Sequence, residues 1–253
     1  MNLGWVSVGR YSVIFLMAAL LMLGSSGLRA EQGDETWWSI TPYIWAMDTK
    51  LDLSWRDSPV GGTEIDFKDA LGNLDAAFQV AVEGGRGRWS AFADVTFVKI
   101  SDATGEDALR LKTKNKQVFL DAGVAFWPGG AGSPLSIYGG ARYTGFDNTY
   151  RLQFQGDDVA RRDSSADYFD ALLGVRYRFD LSDRWSILTL GDVSFGESEG
   201  SWQAQALAAY TVGKRRMNRI MFGYRYRDTE FDDAELTTEY GFHGPLVGFN
   251  FRF

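Results

Sequence analysis

The last eight residues, Leu246-Val247-Gly248-Phe249-Asn250-Phe251-Arg252-Phe253, alternate strictly. Val247, Phe249, Phe251 and Phe253 fall on one face, and Gly248, Asn250 and Arg252 on the other. A period of two is that of a β-strand; a helix repeats every 3.6 residues. The pattern recurs along the chain. Ile220, Phe222, Tyr224 and Tyr226 oppose Arg219, Gly223, Arg225 and Arg227, and Phe169 to Phe179 alternates with Asp170, Gly174, Arg176, Arg178 and Asp180. Trp202 to Tyr210, Trp89 to Phe97 and Val118 to Phe126 repeat it. A chain that alternates over most of its length is built of strands with one apolar and one polar or small face. The 29 Gly, 38 aromatic residues and only 5 Pro fit the same turn-rich β class.

A soluble sandwich also alternates, with its polar face in water. Two features favour a transmembrane antiparallel up-and-down β-barrel. The polar faces mix Gly, Arg and Asp, as a crowded lumen does. The apolar faces have aromatic ends and small aliphatic middles, as a lipid-facing band between aromatic girdles does. Trp89, Phe126, Trp185 and Phe253 each lie beside a short turn or the chain end, which predicts one girdle. Connections 84–88, 128–134, 181–184 and 213–218 are tight; 101–108, 154–166 and 228–239 are longer and more acidic, and 197–200 is the short exception. Short periplasmic turns with longer external loops are the outer-membrane pattern. The expected strands are 37–47, 75–84, 88–101, 109–127, 134–152, 166–181, 184–197, 201–212, 218–230 and 238–253, ten in all. Residues 48–74 read as a structured external loop with strand-like Lys50–Trp55 and Thr63–Phe67 and a helix-like Asp69–Leu74. If both strand-like pieces join the wall, the count is twelve.

Residues 1–30 read as a cleaved signal peptide. Arg10 precedes the uncharged apolar run Tyr11–Leu23, and small residues follow up to Ala30. The run is shorter than the ~20 residues of a spanning helix. Residues 31–253 then form the barrel domain. Loss of Arg10 and Arg29 leaves 24 basic against 33 acidic residues, a charge of −9. An acidic chain is a poor partner for nucleic acid. With no Cys and one His, the chain offers no disulfide framework, Cys nucleophile or poly-His metal site, and no cofactor is implied.

The stretch Thr41-Pro42-Tyr43-Ile44-Trp45-Ala46, then Ala70-Leu71-Gly72-Asn73-Leu74-Asp75-Ala76-Ala77-Phe78, then Gly87-Arg88-Trp89-Ser90 with Phe92-Ala93-Asp94, and the terminal Phe253 resemble the uncharacterised outer-membrane β-barrel families of Gram-negative bacteria. The resemblance covers the mature chain and implies outer-membrane location. It brings no reaction. It implies partners in outer-membrane lipid and in the outer-membrane assembly machinery, which would read Phe249, Phe251 and Phe253 of the last strand. It leaves any external ligand unidentified.

Strand parity turns Arg142, Arg176, Arg178, Arg219, Arg225, Arg227 and Arg252 toward the lumen, with Glu83, Asp94, Asp121, Asp170, Asp180 and Asp192 facing them. In a low-dielectric interior such charges must pair or meet water. Two readings follow. A salt-bridged plug would stiffen a small barrel and leave a structural or surface-interaction role. A narrow porin-like channel would be lined by the same Arg/Asp set. The acids from Asp228 to Glu239 read as a solvated external loop, with no Ca²⁺-loop spacing. An enzyme is not expected. His243 is the one imidazole, parity puts it on the lipid-side face near the outer rim, and no Gly-x-Ser-x-Gly follows the signal peptide.

Overall fold

The computed structural model describes residues 36–253 apart from 57, 107–108, 131, 155–156, 215–216 and 234–235, so the expected signal peptide lies outside the described residues. The described chain is almost wholly strand: β1 (Trp37–Trp45), β2 (Asp48–Trp55), β3 (Ser58–Ile65), β4 (Leu74–Arg86), β5 (Trp89–Glu106), β6 (Leu109–Phe126), β7 (Leu135–Phe154), β8 (Asp157–Asp180), β9 (Trp185–Gly196), β10 (Gly200–Val212), β11 (Asn218–Asp233) and β12 (Leu236–Arg252). One short helix, α1 (Phe67–Gly72), stands between β3 and β4.

Ten strands close. β4 to β12 pair in order, all antiparallel, and β1 seals the ring between β4 and β12. Every pairing has alternating side chains, so each strand turns one face outward. Ile40, Ile44, Phe78, Trp89, Val124, Ile137, Leu173, Val193, Trp202, Phe222, Val247 and Phe251 are all exposed on that outer face. A water-soluble protein does not expose so continuous an apolar surface. A closed ring leaves no unpaired strand edge in lipid, where an unsatisfied N–H or C=O costs several kcal/mol. The chain is a transmembrane β-barrel of the outer-membrane type. Its short turns, β1 and the chain end share one end, which in such barrels is periplasmic. The tightest of these turns puts Gly87 at φ 60°, a left-handed conformation that suits glycine.

The pairing register fixes the barrel's size. From Ser39 the paired residues run through Glu83, Phe92, Gly123, Gly140, Leu172, Ser194, Ser201, Thr229 and Tyr240 to Leu51, twelve residues beyond the start. Ten strands with that shear, at ~3.3 Å per residue and ~4.8 Å between strands, tilt about 40° and give a backbone radius of about 10 Å. Large side chains reaching inward can fill such a cylinder.

The walk ends on β2 because β2 continues β1. Trp45 pairs with Leu246 and Asp48 with His243, three residues along in each strand, so one register on β12 spans both. The ladder pauses at Ala46–Met47, opposite Gly244-Pro245, where Pro245 lacks an N–H; Ala46 N still donates to Pro245 O at 2.9 Å. The segment 48–74 is therefore not a free loop. β2 is hydrogen-bonded to the upper part of β12, β3 folds back on β2, and α1 spans Phe67–Gly72 instead of Asp69–Leu74. The wall count is ten, with β2 and β3 as an external extension.

The external connections also depart from expectation. Where long loops were expected at 154–166 and 228–239, β7 runs to Phe154, β8 starts at Asp157, β11 runs to Asp233 and β12 starts at Leu236. The acids Asp228, Glu230 and Glu239 accordingly sit on strands, and Asp228 is buried. Above the membrane both strand faces meet water, so apolar alternation ceases while the ladder continues. Two tall sheets result, β5–β6–β7–β8 and β11–β12–β2–β3, separated on one side by the low β9–β10 hairpin.

Ala206 lies outward at mid-height on β10, between Trp202 and Tyr210. Ala206→Arg should destabilise the barrel by about 2–4 kcal/mol in urea unfolding from lipid vesicles. A change below about 1 kcal/mol would mean that this level is not in hydrocarbon.

Candidate functional site

Opposite the lipid-facing residues, strand parity aims the expected charges into the lumen, and the structure brings them into contact. Arg142, on β7, is the centre. Its side chain has no exposed surface. Its Nε and Nη2 donate to the two carboxylate oxygens of Asp121 at 2.9 and 3.0 Å, its Nη2 also donates to Asp192 at 2.7 Å, and its Nη1 to Ser201 Oγ at 3.2 Å. Planar guanidinium and carboxylate match here as a two-bond fork. Arg227 on β11 reaches Asp121 from the opposite wall and also donates to Gln203 Oε1 at 2.9 Å. Gln203 Nε2 and Tyr138 OH donate to Asp192 at 3.2 and 2.7 Å. Tyr138 finds room because Gly174 lies beneath its ring. A Cβ there would stand 2.3 Å from the Tyr138 ring.

Two further ties cross the lumen. Arg225 on β11 donates to Asp94 on β5 at 3.0 Å, to Gln205 at 2.8 Å and to Tyr43 OH at 3.3 Å; Tyr43 in turn donates to Asp94 and shares a hydrogen bond with Thr96 at 2.9 Å. Arg176 on β8 donates to both oxygens of Glu83 on β4 at 3.2 and 3.1 Å, and its guanidinium lies 4.5 Å from the Phe92 ring centre and 4.7 Å from that of Tyr138. Attraction to the ring faces adds to the ion pair.

Nearer the outside the lumen becomes aromatic. Phe119 packs on Phe242 at 5.0 Å, Phe146 stacks on Tyr240 at 4.9 Å, and Tyr168 stacks on Phe231 at 3.9 Å. Each pair joins the β6–β8 wall to the β11–β12 wall. Trp45 and Met47 are buried in the same cluster.

Not every expected lumen residue joins the network. Asp170 accepts from Ser194 Oγ, Ser198 Oγ and Ser198 N at 3.1, 2.6 and 3.0 Å, and so ties down the β9–β10 turn. Arg178 pairs locally with Asp180 at 2.9 Å, at the periplasmic rim. Arg219 and Arg252 face inward at the same end, and among the described residues neither has an ion-pair partner. On the outside, Phe249 and Phe251 lie ring to ring at 4.5 Å, and Phe253 exchanges two backbone hydrogen bonds with Trp38 at 2.9 and 3.2 Å. His243 is on the outer face, stacked with Tyr226, with Tyr224 OH 3.0 Å from its Nδ1 and Asp48 at 3.8 Å. On the external sheet, hydrogen bonds from Arg161 and then Thr149 hold the Asp163 carboxyl below its ordinary range.

Attention to charge alone misses Tyr43, Gln79, Tyr138, Ser201, Gln203 and Gln205, which complete the polar contacts, and the inward Phe119, Phe146, Phe231 and Phe242. Their parity was available: each alternates with a lipid-facing residue. Gln79 is the subtlest. β1 and β4 part after the pair Pro42–Val80, and the Gln79 side chain bridges the gap, its Oε1 accepting from Trp45 N at 2.6 Å.

No protein-family model matches the chain, and no curated protein matches it. Among solved structures the chain is similar to the outer membrane protease OmpT from Escherichia coli, at 10% identity over 87% of this chain and 97% of that one, with a TM-score of 0.48. It is similar to Ail, the attachment invasion locus protein of Yersinia pestis, at 10% identity over 86% and 99%, with a TM-score of 0.38. It is also similar to the translocator domain of the autotransporter NalP from Neisseria meningitidis, at 13% identity over 96% and 95%, with a TM-score of 0.33. The role of this chain rests on its own geometry.

Two buried arginines share Asp121, so its loss and the loss of Arg142 are not equivalent. Asp121→Ala strands positive charge and should cost about 3–5 kcal/mol. Arg142→Met leaves Asp121 with Arg227, and Asp192 with Tyr138 and Gln203, and should cost less than half as much. Urea unfolding of both variants in the same vesicles checks the order, and equal costs would mean that Arg227 does not compensate.

Proposed function

We propose that this barrel is closed to solutes and serves in the outer membrane as a structural and surface-interaction protein, with its two external sheets as the contact surface. The observation that carries the reading is the fully buried Arg142, tied through Asp121 to Arg227 on the opposite wall. A cylinder of about 10 Å backbone radius has little room beside such a cross-link. The cross-wall aromatic layer supports the same reading. A channel would need buried ion pairs to part, and each parted charge would need water in place of its partner.

The external sheets offer contact surface. β8 rises to Asp157, but its pairing with β9 begins only at Asp170. Residues 157–167 therefore present a strand edge on that side, with Asp157, Asp158, Arg161, Arg162, Asp163 and Asp167 along it. Charges on an edge deter non-specific strand pairing and leave selective contacts available. We assign no catalytic role. The single imidazole, His243, lies against tyrosines on the outer face, apart from the lumen.

In a planar bilayer the refolded protein should give no unitary current, and Arg142→Ala combined with Asp121→Ala should give measurable conductance. Regular unitary steps from the unmodified protein, with selectivity altered by Arg225→Glu, would replace the closed reading with the channel. Shortening the β7–β8 hairpin above Asn148 and Ser164 should leave the fold intact, read as retained faster gel migration before boiling. Loss of that shift would show that the hairpin is needed for folding, leaving it unavailable as a separable contact surface.

A further inference from the structure

The periplasmic mouth has a charge problem that the rest of the lumen does not. Four arginines face inward there: Arg176 and Arg178 on β8, Arg219 on β11 and Arg252 on β12. Their orientation follows from register: Arg178 pairs with Leu188, which packs against the core; Arg219 pairs with Asn250, which donates inward to Thr41; and Arg252 pairs with the buried Ser39. Two acids answer them. Glu83 takes Arg176 and Asp180 takes Arg178. Four guanidiniums against two carboxylates leave two positive charges. Arg219 and Arg252 carry that excess, and among the described residues neither has an ion-pair partner.

These charges are half-buried and act on one another. Arg219 feels the repulsion of Arg178 and Arg252 more than the attraction of Asp180, while Arg252 feels the attraction of Glu83 and then the repulsion of Arg178. An arginine cannot shed its proton to relieve the repulsion. Nor is the arrangement loose. Arg178 Nη2 is held by Gly132 O at 2.9 Å, Arg252 N by Asn218 Oδ1 at 3.1 Å, and the Arg252 guanidinium sits 4.5 Å from the Trp37 ring centre. Trp37 is itself braced edge-on by Trp127, with ring centres 6.3 Å apart. Leu188, the register partner of Arg178, and the neighbouring Leu207 and Met221 are apolar, so Arg178, Arg219 and Arg252, unlike Arg176, add nothing to the cross-wall ion pairs. Neutral side chains would close the mouth with less repulsion. Like charges placed together on a braced frame are complementary to an anion.

We propose that Arg178, Arg219 and Arg252 form a binding site for a phosphate group at the periplasmic mouth, with Trp37 positioning Arg252. Guanidinium forks match the paired oxygens of a phosphate, and the two excess positive charges match a phosphate dianion. The phosphate arrives on a soluble molecule or on a lipid headgroup; the chemistry of recognition is the same.

The test uses the refolded full barrel in a non-ionic detergent at low ionic strength, with inorganic phosphate as the probe, followed by calorimetry and ³¹P line broadening. Saturable binding is expected, weakened about tenfold or more by Arg219→Gln and by Arg252→Gln, in line with loss of a charge-assisted hydrogen bond. Arg184→Gln, whose side chain contacts Tyr210 at 3.3 Å, should leave binding unchanged. Competition by an anionic phospholipid in mixed micelles would identify a headgroup as the source, and its absence a soluble phosphate. Each variant is checked for folding by its gel shift before boiling. No saturable binding by the folded protein, or binding that Arg219→Gln and Arg252→Gln leave intact, overturns the proposal.

Discussion

In hydrocarbon, backbone N–H and C=O groups have no water to bond, so a sheet in a membrane must close on itself. Here closure depends on β1, which pairs with β4 on one side and β12 on the other. Nearly everything else follows from the register of that closure. A shear of twelve over ten strands sets the tilt and the radius. The radius decides that inward side chains meet across the lumen. The end of the chain is built into the seam: Phe253 bonds to Trp38 through its backbone, while Phe249 and Phe251 lie ring to ring on the outer face.

Because opposite walls are close, the interior is a core, and it is layered. The periplasmic mouth is basic, an apolar layer follows, the middle is a hydrogen-bonded ion network, and the outer part is aromatic. Burying an arginine is expensive unless its donors are met. Arg142 meets that condition with two aspartates and a serine, whereas the Arg227 Nη1 has no hydrogen-bond partner among the described residues. The network contributes little by being charged. Its consequence is specificity, because removing a shared acid leaves a cation with nowhere to go. At the mouth the same rule applies in reverse: arginines left without acids make a surface that an anion would complete.

The lipid face was legible in the amino acids alone. Trp89 to Phe97 and Trp202 to Tyr210 alternate so plainly that strand, parity and outward direction could be read together. The inward set was half legible. Parity turned Asp94, Asp121, Arg142, Asp192 and Arg225 to one face, where hydrogen bonds join them into the Arg142–Asp121–Asp192 and Arg225–Asp94 groups, while Phe119, Phe146 and Tyr138 hold equivalent positions without a charge to mark them. The external strands were not legible as strands, because both faces of β8 above Asp167 meet water and period-two contrast vanishes there. The β2–β3 extension was hidden for a related reason: its place depends on a register shared with β12, far along the chain.

The amino-acid order by itself determined the class of structure: antiparallel strands, an apolar outside and a charged inside, since alternation is a local property written residue by residue. The tertiary structure alone decided the ring of ten with two strands beyond it, which arginine meets which acid, and which arginines meet none. Those outcomes depend on shear and radius, and both arise only when the first and last strands pair. Arg227 and Asp121 lie on opposite walls, and Arg219 and Arg252 share one mouth, because of how the sheet closes; nothing in their spacing along the chain requires it.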